Sequence, residues 1–577
     1  MPTVAKRPAA AGKAAASPSG NQRTGGQILV DSLRVHGVER AFCVPGESYI
    51  AALDALHDAP EIDLIVCRHE SGAAMMADAY GKMTGNPGIC FVTRGPGATN
   101  ASSGVHIAYQ DSTPMILIIG QVARRMLDRE AFQEIDYRRM FGQMAKWVAQ
   151  IDDAARIPEY ISRAFHTATT GRPGPVVLAV PEDVFRERAF AKEARAFVRA
   201  DAHPGAADMD RLRGLLSEAR NPFVILGGGG WNAAACADIR QFVERNSLPV
   251  GTAFRCQDYF DNTLPNYVGD VGIGINPKLT ARIREADLLI DVGSRLEEMV
   301  TSGYTLIDIP QPKQTLVHVY PGAEELGRVY RPDLPIHASM PAFAAAAAAM
   351  EPVGFAPWAE RVPAARAEFI EWTTPRATPG TIQMGEIMAY LRDTLPEDAI
   401  ICNGAGNYTT WVHRYYRFRR YRTQLAPRCG SMGYSLPAAV SAKRHYPGRP
   451  VIAFVGDGCF MMTAQELATA VMYRLAIIVI VINNGMYGTI RMHQERAYPT
   501  RAYGVDLVNP DFAAFARAFG AVGETIHRTE DFVPAFERAL TTDRPVVLEL
   551  LLDPEVITPT RTLTEIQEEA LSRLAQE

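Results

Sequence analysis

The chain has 577 residues, of which 47% are hydrophobic and 21% charged, and its formal net charge is −5. This length predicts three or four globular domains. The composition has no large basic excess of the kind that indicates binding to nucleic acid or anionic membranes, and no apolar run reaches the ~18 residues of a membrane span. Eight scattered cysteines without a CxxC pair argue against structural zinc and favour a reducing compartment. We therefore expect a cytoplasmic protein that binds neither nucleic acid nor membrane.

The N-terminus differs in composition from the rest of the chain. Residues 1–25 are rich in Ala, Gly, Pro and Ser and contain basic but no acidic side chains. They lack the apolar core of a secretion signal. We expect a disordered tail over residues 1–25, with an organelle transit peptide as the alternative.

Three blocks of alternating strand and helix patterns follow, at 26–190, 205–350 and 378–555, and residues 556–577 are expected to form a C-terminal tail. Alternation of this kind indicates parallel sheets covered by helices. The predicted fold class is α/β, with three doubly wound parallel-sheet domains. The predicted strands are 41–44, 64–67, 88–92, 115–119 and 175–180 in the first block, 223–226, 288–292 and 315–319 in the second, and 399–402, 451–455, 476–482 and 545–551 in the third.

The clearest chemical pattern lies in the third block. Strand 451–455 runs into a Gly-Asp-Gly turn around Asp457, and strand 476–482 runs into Asn-Asn-Gly, which contains Asn484. Neighbouring parallel strands of one βαβ unit place both residues at the same carboxyl edge, where open α/β sheets bind ligands. A carboxylate and an amide oxygen suit Mg²⁺ when phosphate oxygens complete its shell. Either turn alone is ordinary turn chemistry, but together they predict a metal and diphosphate site.

This spacing, with 24 residues between the two turns, resembles the signature of thiamine diphosphate (ThDP) enzymes. The resemblance implies that Asp457, Asn484 and the backbone carbonyl of Met486 hold the metal. It also implies that the first block binds the pyrimidine ring, that the third binds the diphosphate, and that loop 403–407 makes a second diphosphate contact. The cofactor-binding residues implied in these motifs are Gly97, Asn403, Gly404, Gly406, Asn407, Gly430, Met432, Gly456, Asp457, Gly458, Asn484 and Met486.

Glu70 begins a segment, 68–80, that is similar to the RHE-x-GAA-x-x-A-x-x-Y segment of ThDP carboligases and decarboxylases. Read alone, it is an acid in the first turn of a helix, where the helix dipole favours it. In the family this glutamate hydrogen-bonds a ring nitrogen of the aminopyrimidine of ThDP and so favours the imino tautomer of that ring. The exocyclic imine can then take the C2 proton of the same cofactor molecule. The resemblance makes Glu70 the leading catalytic candidate.

Two further features come from the same resemblance. Residues 430–437 resemble a GxMGxxLP stretch in which a bulky apolar side chain wedges under the bent cofactor, and Met432 is the matching residue. Core filling is the alternative for Met432. Because the family builds each site from Glu70 of one chain and Asp457 of another, we expect an obligate dimer or a dimer of dimers, which is a homotetramer.

Residues 120–134 are close to a segment of the acetohydroxyacid (acetolactate) synthases, and pyruvate oxidases are the other near family. The resemblance implies that Phe132 and Gln133 line the substrate side of the cofactor, with Gln133 as a second catalytic residue. Residues 94–100 match the family turn that contains Gly97. Pyruvate decarboxylases carry a His-His pair in the region 127–133, and its lack here disfavours a simple decarboxylase.

The chain also departs from the synthase pattern at positions that bear on substrate and flavin. His493 replaces a tryptophan that selects the acceptor, and Glu47 stands where synthases have a small residue and some decarboxylases an acid. Glu47 is either a substrate contact or a surface acid. The synthases bind FAD in the middle block, where glycines 227–230 are compatible with a nucleotide, but both acids of a synthase strand motif are lost at 318–322. FAD therefore remains an open possibility.

These features predict a large catalytic subunit of the acetolactate synthase and pyruvate oxidase type. We expect a ThDP- and Mg²⁺-dependent carboligase that decarboxylates a 2-oxo acid such as pyruvate and adds the enamine to a second carbonyl. The alternatives are a 2-oxo acid decarboxylase, a pyruvate oxidase-like enzyme, and a catalytically silent ThDP-binding subunit.

Overall fold

The computed structural model describes residues 22–576, and three six-stranded parallel sheets divide them into three α/β domains. The expected disordered tail lies outside the described residues except for residues 22–25, which lead from strand β1 into helix α1. None of the helices between residues 22 and 576 is long and apolar enough to cross a membrane.

The N-terminal domain has the strand order β3-β2-β4-β5-β7-β6, and a short antiparallel pair, β1 with β8, closes it. All five predicted strands are present. Its strands are β1 (Arg23–Thr24), β2 (Arg40–Cys43), β3 (Asp63–Val66), β4 (Gly88–Val92), β5 (Met115–Gln121), β6 (Trp147–Gln150), β7 (Pro175–Pro181) and β8 (Arg188–Ala189). Its helices are α1 (Gly25–Val35), α2 (Ile50–His57), α3 (Glu70–Thr84), α4 (Pro96–Asp111), α5 (Tyr137–Phe141), α6 (Ile157–Thr169) and α7 (Glu182–Arg186).

The central domain has the strand order β11-β10-β9-β12-β13-β14. Strands β9 to β11 therefore extend the parallel sheet to one side and β12 to β14 extend it to the other, with the switch between β9 and β12. Its strands are β9 (Pro222–Leu226), β10 (Val250–Ala253), β11 (Tyr267–Val271), β12 (Leu288–Val292), β13 (Thr315–Tyr320) and β14 (Leu334–His337). Its helices are α8 (Ala206–Glu218), α9 (Ala233–Arg245), α10 (Pro277–Glu285) and α11 (Met340–Ala349), and α12 (Val362–Trp372) leads out of it.

The C-terminal domain has the strand order β16-β15-β17-β18-β20-β19. Its strands are β15 (Ile400–Asn403), β16 (Gln424–Leu425), β17 (Val451–Gly456), β18 (Ile478–Asn483), β19 (Val522–Ile526) and β20 (Val546–Leu551). Its helices are α13 (Met384–Thr394), α14 (Thr409–Tyr415), α15 (Ser435–His445), α16 (Asp457–Phe460), α17 (Glu466–Met472), α18 (Gly488–Ala497), α19 (Phe512–Ala518), α20 (Thr529–Leu540) and α21 (Leu563–Leu574).

The last helix, α21, lies in the segment that we expected to be a tail. It starts with a capping box between Thr562 and Glu565, a pattern that is readable in the sequence. Leu563 and Ile566 pack with Ile557 on Met492 of α18. The C-terminal segment therefore covers the helix that follows the predicted metal loop.

One apolar core joins the N-terminal and C-terminal domains of the chain. Helix α3 packs along α15, and the Ser441 hydroxyl donates to the carbonyl of Met76 (2.9 Å). Both helices are rich in alanine, which allows a close approach. This contact fixes the position of α3, and hence of Glu70 at its first residue, relative to the diphosphate-side domain.

Candidate active site

Asp457 and Asn484 follow β17 and β18, which pair in parallel with Gly456 opposite Ile482. The structure thus places both residues at the carboxyl edge of the sheet. The Asp457 carboxylate is buried and accepts three hydrogen bonds, from the Gly458 amide (2.8 Å), the Gly485 amide (2.9 Å) and Asn509 Nδ2 (2.7 Å). Burial raises the pKa of Asp457, and these three donors lower it. An ionised carboxylate can only accept hydrogen bonds, so these three donors fix its orientation at the carboxyl edge of the sheet.

The backbone around Met486 is held by a second stretch of chain. Met486 forms an isolated antiparallel bridge with Asp506, the Tyr487 amide donates to the Val505 carbonyl (2.8 Å), and the Leu507 amide donates to the Gly485 carbonyl (2.8 Å). Gly485 has φ +68°, a conformation that glycine adopts without strain. The carbonyl of Met486 is therefore presented by a fixed backbone next to Asn484.

Asn509 was not among the residues predicted from the sequence. Its amide group donates to Asp457 and also to Asn483 Oδ1 (2.9 Å). It follows the segment that pairs with Met486, 52 residues beyond Asp457. Asn509 therefore links the two turns of the predicted metal site.

Loop 403–407 lies beside this edge. Asn403 is fully buried, and its Oδ1 has no hydrogen-bond partner within residues 22–576. A Cβ on Gly404 would lie 2.9 Å from Cys459 Sγ, and Gly406 has φ +137°. The Asn407 side chain is engaged by the protein itself, since Nδ2 donates to the Ile557 carbonyl (3.0 Å) and Oδ1 accepts from Thr489 (2.9 Å). Glycine at 404 and 406 therefore lets this backbone pack closely against Cys459 and Tyr408, and Asn403 Oδ1 is its polar atom without a partner in the described residues.

The donor chemistry of this edge fits Mg²⁺ with ThDP. No group of three or more His, Cys, Asp or Glu side chains that could hold a metal occurs in the described residues. The predicted set is one carboxylate, one amide oxygen and one carbonyl, which suits a magnesium ion that completes its shell with phosphate oxygens. Gly458 is packed against the protein, because a Cβ there would lie 2.6 Å from the Tyr487 ring. Gly430 is not packed in this way, because a Cβ there would have no atom within 4 Å.

Glu70 belongs to a separate group of residues in the N-terminal domain. Asn100 Nδ2 donates to Glu70 Oε2 (3.0 Å), and a Cβ on Gly97 would lie 3.3 Å from Oε1. Gly97 therefore keeps the carboxyl group uncovered on that side. The sequence analysis did not single out Asn100, although it ends the turn at 94–100. Among the described residues, the side-chain hydrogen bond of Glu70 comes from its own domain, so the Glu70 group and the Asp457 edge are two separate groups of residues.

Glu466 connects the C-terminal domain to the helix that carries Glu70. Its fully buried carboxylate accepts from the backbone amides of Arg68 (3.1 Å) and His69 (2.9 Å) and from Thr469 Oγ1 (2.6 Å). Burial raises the pKa of Glu466, and these hydrogen bonds lower it. The amides of Arg68 and His69 precede α3, so Glu466 fixes the helix end at which Glu70 lies.

A buried charge cluster holds the loop that contains Met432. Lys82 Nζ contacts Asp78 (2.9 Å) and Asp111 (2.6 Å), and both carboxylates are fully buried. Asp111 accepts from the Arg428 amide (3.0 Å), and the Tyr434 hydroxyl donates to Asp78 (2.6 Å). Met432 is half-buried and packs against the core shared by the two domains. Arg428 and Tyr434, which lie on either side of Met432 in the chain, are therefore held by α4 and α3 respectively.

The Lys82→Met variant is expected to lose about 3–5 kcal/mol of stability, because two buried acids would lose their cation. Burial raises the pKa of Asp78 and the Lys82 ammonium lowers it, so loss of this ammonium is expected to raise the pKa of Asp78 further. Urea unfolding checks the loss. The control is Lys443→Met, because the Lys443 ammonium donates only to the Arg449 carbonyl (2.8 Å). Equal unfolding midpoints for the two variants would contradict a special role for Lys82.

Phe132 and Gln133 lie on a loop that Glu134 closes. The Glu134 carboxylate accepts from the amides of Asp128 (2.7 Å) and Ala131 (2.9 Å), and these bonds lower its pKa. Gln133 has φ +67°, which is strained for a residue with a side chain. Phe132 is 73% exposed at the tip. The loop thus presents both predicted substrate residues from a constrained backbone.

Glu134→Ala is expected to release this loop and to raise KM for the 2-oxo acid about tenfold, with a smaller change in kcat. Glu134→Gln retains one acceptor oxygen and should lie between the two. Steady-state kinetics check both variants. Glu159→Ala, at an exposed pair with Arg156 in the same domain, is the matched control. An unchanged KM in Glu134→Ala would show that the loop needs no such closure.

The structure brings Glu47 and Phe132 together through Arg94. The Arg94 guanidinium contacts Glu47 (3.4 Å) and Glu182 (3.3 Å) and donates to the Phe132 carbonyl (3.2 Å). Glu47 itself is exposed. His493 is not part of this group, because it lies on α18 in the C-terminal domain, where it lines a cavity of about 800 Å³. The predicted substrate residues therefore lie in two different domains of the chain.

The glycine loop that follows β9 in the central domain is closed by contacts with the rest of the protein. In a sheet with this strand order, a dinucleotide binds where β9 and β12 diverge, against the loop after β9. Here a Cβ on Gly228 would overlap the Gly293 carbonyl. The Gly228 carbonyl accepts from the Tyr259 hydroxyl (2.7 Å) and from Arg428. About 70 Å³ is left beside Gly229 and Tyr259, whereas the cavity of about 800 Å³ lies beyond the carboxyl ends of β10, β11 and β12. The glycines 227–230 serve chain packing instead.

The three α/β domains are those of a thiamine diphosphate enzyme. Three family models match in chain order: the N-terminal TPP binding domain of thiamine pyrophosphate enzymes over residues 23–140, their central domain over 209–347, and their C-terminal TPP binding domain over 404–550. The chain belongs to the thiamine pyrophosphate enzyme family of the acetolactate synthase large subunit type.

Named relatives extend over most of the chain. It is 31% identical to the acetolactate synthase large subunit of Corynebacterium glutamicum, over 94% of this chain and 89% of the relative. It is 32% identical to that of Lactococcus lactis, over 92% of each chain. It is 29% identical to the acetolactate synthase isozyme 2 large subunit of Escherichia coli, over 92% of this chain and 95% of the relative.

Proposed function

We propose that this enzyme is a Mg²⁺- and ThDP-dependent carboligase that decarboxylates a 2-oxo acid and transfers the remaining acyl carbon to a second carbonyl compound. The observation that carries the proposal is that one chain holds both complementary half-sites, the Asp457 edge and the Glu70 group, each with its own supporting contacts. The acetolactate synthase names of the relatives support a 2-oxo acid as the donor.

The chain's own residues have distinct roles in this proposal. Asp457, Asn484 and the Met486 carbonyl would hold Mg²⁺, and loop 403–407 would contact the diphosphate of the cofactor. Bound ThDP would supply the carbon nucleophile. Glu70 holds a proton at the pyrimidine ring, with Asn100 fixing its orientation. Met432 supports the ring geometry, and Phe132 with Gln133 binds and orients the substrate.

The enzyme acts as a dimer or a dimer of dimers in this proposal, because a complete site needs Glu70 of one chain beside Asp457 of another. Helix α3 is anchored to its own C-terminal domain by Glu466 and α15. That anchoring supports a second chain, rather than a domain movement, as the way to close the site. The eight cysteines are all free thiols, which supports a cytoplasmic location.

The test is product analysis with pyruvate, ThDP and Mg²⁺. Acetolactate formation is the expected result, with no turnover when Mg²⁺ is chelated and full recovery when it is restored. Acetaldehyde as the sole product would replace the proposal by a decarboxylase. Glu47 is the specific observation that favours this second candidate, because its carboxylate lies on Arg94 next to the Phe132 loop. Binding of ThDP without CO₂ release from any 2-oxo acid would indicate a silent subunit.

A further inference from the structure

Strand β6 is the last strand on one side of the N-terminal sheet, and its outer edge is open in the described residues. It pairs with β7 alone. Its four residues, Trp147–Gln150, include no proline and no charged side chain. Within residues 22–576, no side chain hydrogen-bonds to the backbone of these four residues. An edge of this kind is a template for the addition of another strand.

The other edges of the six-stranded sheets are protected. Three of them are covered by side chains that hydrogen-bond to the strand backbone: Tyr473 on β3, Arg366 on β11 and Asp258 on β16. Strand β14 contains the exposed Pro335, and β19 carries the charged Glu524. Proline and charge both discourage pairing with another chain. Among the described strands that end these sheets, β6 is therefore the one without such protection.

A groove of about 290 Å³ lies on this open edge. It is lined by Trp147, Val148 and Ala149 of β6, by Arg138 of α5, and by side chains at the start and in the middle of α6. Helix α5 packs with the core on one face of the sheet, and α6 packs with the core on the other face. The groove therefore straddles the strand edge and is bordered by both helix layers, as the seat of an added strand requires.

The groove has an excess of positive charge. It contains three arginines, Arg138, Arg156 and Arg163, and one acid, Glu159. Glu159 is already bound by Arg156 through two hydrogen bonds (2.7 and 3.0 Å). Arg138 and Arg163 make no ion pair within residues 22–576. Acidic side chains therefore complement the groove on both of its borders.

Stacking orders the border that α6 provides. The rings of Trp147 and Tyr160 stack with their centres 5.8 Å apart and their planes at 22°. The guanidinium carbon of Arg163 lies 4.1 Å from the centre of the Trp147 ring, and that of Arg156 lies 5.1 Å from the centre of the Tyr160 ring. Arginines held in this way lose less conformational freedom when they bind a partner, and Trp, Tyr and Arg are the residues that dominate interface energies.

Charge distinguishes between the possible occupants of the groove. A second copy of this chain would bring the same arginines against these, and like charges opposite each other destabilise strand pairing. Residues 1–21 of the chain contain Lys6, Arg7 and Lys13 and no acid, so their charge has the wrong sign. The complement is an acidic segment of a different protein.

We infer that the β6 edge is a docking site for an extended, acidic segment of another protein, which adds a seventh strand to the N-terminal sheet. Neighbouring side chains of a strand point to opposite faces, so two adjacent acids reach Arg138 on one face and Arg163 on the other. Backbone hydrogen bonds supply affinity, and the arginines supply the preference for acids. The site is separate from the active site, because Glu70 follows β3, at the opposite end of this sheet.

The test uses the full-length protein saturated with ThDP and Mg²⁺ and a short fluorescent peptide. In this peptide, pairs of glutamates alternate with pairs of valines, so that acids lie on both faces of an added strand. Fluorescence anisotropy is expected to give a Kd below about 1 mM that rises with ionic strength. A peptide with glutamine in place of every glutamate is expected to bind at least about tenfold more weakly. Absence of binding by the acidic peptide would overturn the inference.

Hydrogen exchange separates strand addition from simple attraction of an anion. With the acidic peptide bound, the amides of β6 are expected to exchange several-fold more slowly, and those of β19, an edge strand of the C-terminal domain, are expected to be unchanged. Binding that leaves exchange in β6 unchanged would overturn the inference. Displacement of the peptide by an equimolar amount of inorganic triphosphate would also overturn it, because the groove would then be a site for small anions.

Arg138→Gln and Arg163→Gln are each expected to weaken binding of the acidic peptide severalfold, and the double variant at least about tenfold. Arg139→Gln is the matched control, because Arg139 is the next residue of α5, has a side chain that is 90% exposed, and does not line the groove. Equal effects of Arg138→Gln and Arg139→Gln on the Kd would contradict the inference. A change in the oligomeric state of Arg163→Gln, measured by sedimentation, would assign the groove to a contact between copies of this chain and would replace the inference.

Discussion

Glu70→Gln is expected to reduce turnover of a 2-oxo acid by about 10²- to 10⁴-fold, the range associated with loss of a positioned acid–base group. Glutamine has the same shape and can still accept the hydrogen bond that Asn100 donates to Glu70 (3.0 Å), so α3 and its N-terminus should stay in place. The amide cannot hold or release a proton at the pyrimidine ring. The loss should therefore appear in kcat, because the interaction matters during reaction rather than in binding.

The measurement that separates chemistry from binding is the ThDP dissociation constant of the same variant. It should stay within a few-fold of the wild-type value, because the Mg²⁺ edge around Asp457 has no hydrogen bond to the Glu70 group. Asn100→Ala is the control for orientation alone and should lose less activity than Glu70→Gln. If Glu70→Gln turns over within twofold of the wild type, the catalytic assignment of Glu70 is wrong.

The features that could be predicted from sequence are those encoded within one short stretch. Strands β4, β5, β7, β17 and β18 are continuous apolar runs buried on both faces, which is typical of central parallel strands. Asp457 and Asn484 could be placed together because a single βαβ unit carries both. The strands that were missed have weaker patterns. Strand β10 contains Gly251 and Thr252, β11 contains Gly269 and Asp270, and β14 contains Pro335.

The supporting residues of the site could not be predicted, because each acts over a long separation. Glu466 reaches amides almost 400 residues earlier in the chain, and Asn509 contacts Asp457 across 52 residues. Nothing local distinguishes Glu466 from other acids near the start of a helix. A single sequence carries residue types and spacing but not these convergences.

The same distinction explains the glycines 227–230. A glycine run after a strand is equally compatible with a nucleotide loop and with close chain packing. The structure resolves this, because Tyr259 and Arg428 donate to the Gly228 carbonyl from positions 31 and 200 residues away. Backbone carbonyls that accept from the protein's own side chains present the wrong polarity for a phosphate, which needs donors.

If each active site is shared between two chains, combining two inactive variants in one dimer is expected to restore activity. Glu70→Gln and Asp457→Ala homodimers are each expected to be almost inactive, the second because Mg²⁺ loses its only carboxylate. Hybrid dimers, with one chain of each variant isolated by two affinity tags, should recover about half of the wild-type activity per dimer. One site of the hybrid takes its intact Glu70 from the Asp457→Ala chain and its intact Asp457 from the Glu70→Gln chain. The other site carries both changes.

The matched control places both substitutions on one chain and pairs it with a wild-type chain. If each site spans two chains, every site of this hybrid lacks either Glu70 or Asp457, so it should be as inactive as the homodimers. If a site is built within one chain, the two results exchange. The wild-type chain then supplies a complete site in the control, and the complementing hybrid has none. Activity assays on the two purified hybrids therefore decide where Glu70 acts, because the two hybrids contain the same four residues and differ only in how these residues are distributed between the chains.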